Sequence, residues 1–328
     1  YEQTFWVGDA RNAALVERYV SGDARLTERC LRLVPPSRVY TPLYADQVPS
    51  GWNSVIPNWT FLWVIACLEH VEHTGDAAFA EEMWPHVRFT LQAYLAKRDE
   101  RGLLRHYGWN FLDWAPIAQP QDGVVAHQTM FLARALRAGA ALARRAGADG
   151  TALEDAAQHL QAAINAQLWS EERGAYRDAL APDGQPLPTF SLQTQVVAYL
   201  CDVAEGERKE ALERHLTAPP EDFVPIGSPF MSFFYYEALV ERGATTCWEM
   251  YPGPENRANP KLLTRSHCHA WSAAPAYFLG VVVLGVRFSE GGRHLRVAPQ
   301  TCGLEWAKGR IPLPQGGYVD VNWIVKKG

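Results

Sequence analysis

Thr151–Leu168 reads TALEDAAQHLQAAINAQL, and its spacing decides the fold class. Leu153, Ala157, Leu160, Ile164 and Leu168 recur at intervals of three or four, which draws a single apolar stripe along a helix. Thr151 and Glu154 read as a capping box at its start. A helix with one apolar stripe must lie on something, and the same periodicity on both sides supplies it. Helical stretches are expected near 10–20, 23–34, 58–73, 77–97, 124–146, 191–203, 207–216, 229–241 and 268–283. Pro85 falls inside one of them and should kink or restart it. Gly-Asp recurs at 8–9, 22–23 and 75–76, where glycine would end one helix and aspartate cap the next. On that reading Asp9 is an N-cap.

Long segments rich in Pro, Gly and aromatics separate the helices, at 35–58, 103–122, 170–190, 217–229 and 247–267. A compact domain rarely carries so many unless they build a site. Sequence-adjacent helix pairs with elaborate loops gathered at one end describe an α/α toroid, whereas a simple bundle has short connections. From about Val286 short alternating segments take over, at 287–288, 294–297, 304–307 and 318–323, punctuated by Pro299, Pro312, Pro314, Gly316 and Gly317. They read as antiparallel strands. Two domains are therefore expected: a helical one over 1–285 and the start of a β-domain over 286–328. Roughly 40 residues are too few to close a sandwich. The chain opens at Tyr1, not at methionine, and is expected to be a piece of a longer protein.

Composition narrows the function classes. With 328 residues and 48% hydrophobic content the chain can bury a large core. A net charge of -5 provides no basic field for nucleic acid or an anionic membrane. The longest apolar run, Ala276 to Val286, falls short of the ~20 residues that span a bilayer and reads as a buried helix end running into a strand. Six scattered cysteines without a CxxC pair suit reduced, buried thiols and slightly favour a cytoplasmic setting. Cys268 between His267 and His269 lacks a second cluster to complete a zinc site. No phosphate-cradling Gly loop and no EF-hand pattern occurs, so neither cofactor nor obligatory metal is expected.

Two acidic segments at opposite ends carry the candidate chemistry. One is YEQTFWVGDA at 1–10; the other is TTCWEMY at 245–251, followed by His267 and His269. Each places a carboxylate among aromatics, and apolar surroundings disfavour the charged form of an acid. One glutamate raised in pKa and one left ionised suit glycosidic-bond hydrolysis. Glu2 has Tyr1, Phe5 and Trp6 to desolvate it, or is a surface residue of a frayed end. Glu249 has Trp248, Met250 and Tyr251 beside it, or pairs with Arg257 or Arg265. Trp6, Trp59, Trp109 and Trp114 either stack on a sugar or fill core.

The first segment resembles the catalytic motif of the α-L-rhamnosidases, glycoside hydrolase family 78. There an acidic residue precedes a Gly-Trp-x-Gly-Asp-Ala stretch, matched here by Glu2 and Phe5-Trp6-Val7-Gly8-Asp9-Ala10, with Phe5 as a departure. The family's late Thr-x-Trp-Glu segment is similar to Trp248-Glu249. The resemblance, which covers nearly the whole chain, implies an (α/α)6 barrel followed by the start of a C-terminal β-domain. It implies Glu2 as general acid and Glu249 as the base of an inverting exo-glycosidase releasing terminal α-L-rhamnose. Trp6, Asp9, Trp59, Asp113, Trp114 and His269 become sugar-binding residues. The family's aspartate and arginine upstream of the acid would precede Tyr1, and N-terminal β-domains of the same protein are expected beyond this chain. Another toroid glycosidase, a phosphorylase, and a non-catalytic sugar-binding toroid remain as alternatives. A phosphorylase would need a basic anion site in place of Glu249, and a binding protein would not need both carboxylates.

Overall fold

A computed structural model describes residues 4–38, 41–241 and 273–326. Helices α1 (Val7–Val20), α3 (Pro57–Thr74), α5 (Ala126–Arg145), α7 (Leu192–Leu200), α9 (Pro229–Glu241) and the short α10 (Ala274–Phe278) form an inner ring. Most are buried over much of their surface: 14 residues of α3 and the whole of α7 are buried. Helices of that kind belong inside a larger assembly. Phe233 of α9 packs on Tyr277 and Phe278 of α10, at 5.6 and 5.3 Å, and α10 in turn packs on α1. Helices α2 (Arg25–Leu33), α4 (Ala77–Leu95), α6 (Thr151–Gln167) and α8 (Gly206–Thr217) lie outside the ring. Each buries one stripe, as Leu153, Ala157, Leu160 and Ile164 do in α6. The mainly α architecture of successive helical hairpins is the one that the sequence indicates.

Local signals were overruled in two places, at Thr151 and at Gly8-Asp9. The α6 capping box does not form: Gly150 is the cap residue, the Thr151 hydroxyl donates to Asp149 at 2.6 Å, and Glu154 pairs with Arg144. Pro85 neither restarts nor divides α4, which is one helix from Ala77 to Leu95. The Gly-Asp punctuation holds at 75–76, where Gly75 closes α3 at φ 73° and Asp76 accepts from the Phe79 amide at 2.9 Å. It fails at 8–9, because both residues lie inside α1, whose cap residue is Trp6. Gly8 has a different purpose: a Cβ there would come within 2.5 Å of the Trp59 indole. The glycine lets α1 approach α3 closely.

Short strands tie the loops to the ring. β1 (Phe5–Trp6) pairs with β2 (Gln47–Val48), and the Val7 amide donates to the Asp46 carbonyl at 2.8 Å. β3 (Val124–Val125) pairs with β6 (Ala179–Leu180), and β4 (Trp169–Ser170) with β5 (Ala175–Tyr176). After α10 and one wide turn at Leu279–Val283, the chain enters two hairpins. These pair β7 (Val286–Ser289) with β8 (His294–Val297), and β9 (Trp306–Pro312) with β10 (Tyr318–Ile324). β9 starts at Trp306 and runs on through Pro312, displaced from the expected 304–307. Leu284, Val286, Ile311 and Val321 make a small core under both hairpins. The Tyr19 hydroxyl donates to the Val286 carbonyl at 3.0 Å and the Trp323 indole to the Val283 carbonyl at 2.8 Å, anchoring the hairpins to the ring.

Candidate functional site

The N-terminal ends of five inner helices converge, joined by one hydrogen bond between first turns, by ring contacts and by bonds to the loops around them. Asn58 at the start of α3 donates to the Phe111 carbonyl at 2.8 Å and to His127 Nδ1, at the start of α5, at 3.0 Å. Gln193 at the start of α7 donates to Asp113 Oδ2 at 2.7 Å and to the Pro225 carbonyl at 2.8 Å. Trp59 meets Phe230 of α9 at 5.0 Å and packs on Gly8 of α1.

A wall of aromatic rings stands over this convergence. Trp52 and Trp109 stack at 6.3 Å, and Trp6 meets both edge-on, at 5.9 and 6.2 Å. Trp109 continues to Phe111 at 5.5 Å, and Phe111 to Trp114 at 4.7 Å and Trp59 at 5.7 Å. Trp52 and Trp114 are 55% and 51% exposed. A contiguous exposed aromatic surface of this kind is uncommon outside binding sites. Indole faces suit the C–H faces of sugars.

The loop carrying Trp109 and Trp114 has almost no regular structure, so its backbone groups need side-chain partners. Asn110 donates to the Pro120 carbonyl at 2.7 Å and the His106 carbonyl at 3.0 Å, and its Oδ1 accepts from Gln128 at 2.8 Å. Gln119 accepts from the Leu112 amide at 2.5 Å. Asp113 is the central clamp. Its Oδ1 accepts from the Trp114 amide at 2.9 Å and from the Ser228 hydroxyl; its Oδ2 accepts from Gln193 and from the Gly227 amide at 2.8 Å. Gly227 permits the approach, since a Cβ there would lie 2.9 Å from the Trp114 carbonyl. Four donors fill the carboxylate's four acceptor sites, and Asp113 is only 1% exposed.

Beneath the wall, buried polar atoms are left without hydrogen-bond partners: Asn58 Oδ1, Trp59 Nε1, His127 Nε2 and Gln193 Oε1. Because Asn58 donates to Nδ1 of His127, the imidazole carries its proton on Nε2, and burial lowers its pKa to about 3. The set thus presents two donors and two acceptors, all neutral. Asp46, beside the start of α1, is 1% exposed, and burial pushes its carboxyl up to about 6. Among the described residues no group of three or more His, Cys, Asp or Glu is arranged to hold a metal ion, and no helix is long and apolar enough to cross a membrane.

Of the residues singled out in the sequence, Trp6, Trp59, Trp109, Asp113 and Trp114 come together here. Asp9 lies half-buried in the first turn of α1, not at its cap. Trp59 is 2% exposed, so it supports the wall from behind. Asp113 has no acceptor position left for a ligand in this arrangement. Glu2, Trp248, Glu249, His267 and His269 lie outside the described residues. Asn58, His127, Gln193 and Trp52 went unnoticed in the sequence. The first three sit on helices that read as core; the visible signal was a polar residue at the opening of an otherwise apolar helix.

Residues 1–238 match the family model of the bacterial alpha-L-rhamnosidase six-hairpin glycosidase domain. The GH78 family rhamnosidase of Bacillus sp. GL1 superposes with a TM-score of 0.93 at 55% identity, over 99% of this chain and 36% of its own. This chain therefore spans about a third of that protein's length. A Klebsiella oxytoca rhamnosidase with rhamnose bound gives a TM-score of 0.69 at 24% identity, over 85% of this chain and 58% of its own. A Streptomyces avermitilis alpha-L-rhamnosidase complexed with L-rhamnose gives 0.70 at 16%, over 98% and 33%. These two share the fold. No sequence among the curated proteins matches significantly.

Proposed function

We propose that this chain, which belongs to the bacterial alpha-L-rhamnosidase six-hairpin glycosidase family, is the catalytic module of an inverting exo-glycosidase. On this reading it hydrolyses terminal α-L-rhamnose, with Glu2 as general acid and Glu249 as general base. The observation that carries the reading is the aromatic wall around Trp6. The described part of the motif that resembles the acid site, Phe5–Asp9, adjoins that wall through β1 and the first turn of α1. Residues 1–285 would then be the catalytic domain and 286–328 the start of a β-domain.

An inverting enzyme needs its two carboxyl groups about 6.5–9.5 Å apart, with a water between base and anomeric carbon. Trp6 and Trp114 offer faces for the sugar, Asp9 and His269 hydrogen bonds to its hydroxyls, and Trp59 backs the wall. Asp113 acts at one remove, by holding the Trp114 loop. The buried neutral set of Asn58, His127 and Gln193 matches hydroxyls or ordered waters, because it pairs donors with acceptors without a net charge to neutralise.

The test uses the intact protein with p-nitrophenyl α-L-rhamnoside and a rhamnosyl disaccharide. Glu249→Gln should abolish turnover of both, since water must be activated whatever leaves. Glu2→Gln should slow the disaccharide by about 10²–10⁴ and spare nitrophenol, which departs without a proton. Proton NMR of the first-formed sugar should show the anomer opposite to the substrate's; net retention would overturn both role assignments.

A further inference from the structure

At the opposite end of the ring, where the C-terminal turns of α1, α3 and α9 meet α10 and β7, lies a cavity of about 250 Å³. That exceeds by far the ~10–15 Å³ that one water needs. Glu69 and Glu237 line it, but both are already engaged. Arg11 donates to Glu69 at 2.6 Å and to Glu237 at 2.9 Å, and Arg134 stands 3.7 Å from Glu237. The cations in the lining are not matched in this way. Arg18 is 9% exposed, and its Nη2 is buried with no hydrogen-bond partner. Neither Arg18 nor Arg287 of β7 forms an ion pair among the described residues. His73 adds a buried Nε2 without a partner; its imidazole is neutral, because burial, with Arg18 and His70 adding to it, lowers the pKa to about 3. Glu72 also lines the cavity; its carboxyl is pushed up first by burial and then by Glu69, with Arg145 and Arg18 opposing.

Burial lowers the pKa of the Arg18 guanidinium and outweighs the attraction of Glu69. A buried donor left without a hydrogen-bond partner is costly, and the remedy open to Nη2 is an acceptor placed in the cavity. We propose that the cavity is a binding site for a small oxyanion of phosphate or carboxylate chemistry, anchored by Arg18 and completed by Arg287 and His73. Planar guanidinium forks match both kinds of oxyanion bidentately. Because Arg18 belongs to the ring and Arg287 to the first hairpin, the ion joins the two parts.

Thermal unfolding of the intact protein tests this at fixed ionic strength, in sodium chloride and with phosphate or acetate replacing chloride. A saturable rise in Tm of about 3–5 °C is expected at a hundredfold excess over Kd. A rise in phosphate alone identifies phosphate chemistry, and a rise in acetate alone identifies carboxylate chemistry. Arg18→Met and Arg287→Gln should each remove the rise. Arg287 is exposed on a strand, so its variant gives the answer even where Arg18→Met does not fold. Equal melting in all three salts, an undiminished rise in Arg287→Gln, or high-resolution density showing only waters in the cavity would overturn the proposal.

Discussion

At the N-terminal ends of the inner helices, one carboxylate, Asp113, receives four neutral donors, and the polar atoms around it belong to amides, an indole and an uncharged imidazole. Further along the ring Arg11, in the second turn of α1 and 2% exposed, is pinned between Glu69 of α3 and Glu237 of α9, with Arg134 of α5 nearby. Burial alone would lower the Arg11 guanidinium, but the two carboxylates override it and hold its pKa well above the usual value. Burial would likewise raise Glu237, and Arg11 and Arg134 override that. Paired full charges thus brace the helices along the ring, while at the N-terminal ends Asp113 meets neutral donors and amide, indole and imidazole atoms stay unspent. The end whose unspent donors and acceptors are neutral is the one suited to a polyhydroxylated ligand.

The comparison breaks most sharply at Arg11. Arg11→Met leaves two buried glutamates without their counter-charge and should cost about 3–5 kcal/mol of stability. Urea unfolding would measure it, and kcat per folded molecule should hold. Asp113→Asn should do the reverse, because a donor amide would then face two donors. A wall displaced by even 1 Å should lower kcat/KM on p-nitrophenyl α-L-rhamnoside by about a hundredfold, with only a modest change in Tm.

The two ends also differ in their response to pH. Asp46, near the site, has a folded pKa of about 6, above its unfolded value, so it contributes stability at low pH that is lost as pH rises through about 6. Asp46→Asn should therefore stabilise the protein above pH 6, by about 2–3 kcal/mol, and leave it unchanged below pH 4. His70 and His73 at the far end lie at about 4 and about 3, below their unfolded value, chiefly through burial. Their contribution is present above about 6.5 and erodes as the medium is acidified, so His73→Phe should flatten the acid limb of a Tm–pH profile. The smallest effect is expected at Trp52, on the outer edge of the wall. Trp52→Ala should raise KM a few-fold with kcat intact, the sign of binding that is equal in ground and transition states.

Helices were legible in the chain because their stripes are set by one rule, the 3.6-residue period. Leu153, Ala157, Leu160 and Ile164 are buried as their spacing requires. The capping box at Thr151 misled because Asp149, two residues earlier, offers a competing acceptor. Gly8 misled because a glycine that lets two helices touch has the same letter as one that ends a helix. In the site, Trp6 and Trp114 stood out as tryptophans in irregular segments. Asn58, His127 and Gln193 did not, since their unmatched atoms exist only once helices far apart in the chain have met.

The Asp113 clamp has a consequence for the order of assembly. Its partners Gln193, Gly227 and Ser228 lie 80, 114 and 115 residues downstream. A ribosome adding about 5–20 residues per second delivers Gly227 roughly 6–23 s after Asp113. Until then the Trp114 loop has Asn58, Gln128 and, once made, Gln193 to hold it, but lacks the Gly227 and Ser228 bonds to Asp113. The wall is thus completed by the second half of the domain, and a chain released before residue 227 would carry the aromatic loop without its last two fastenings.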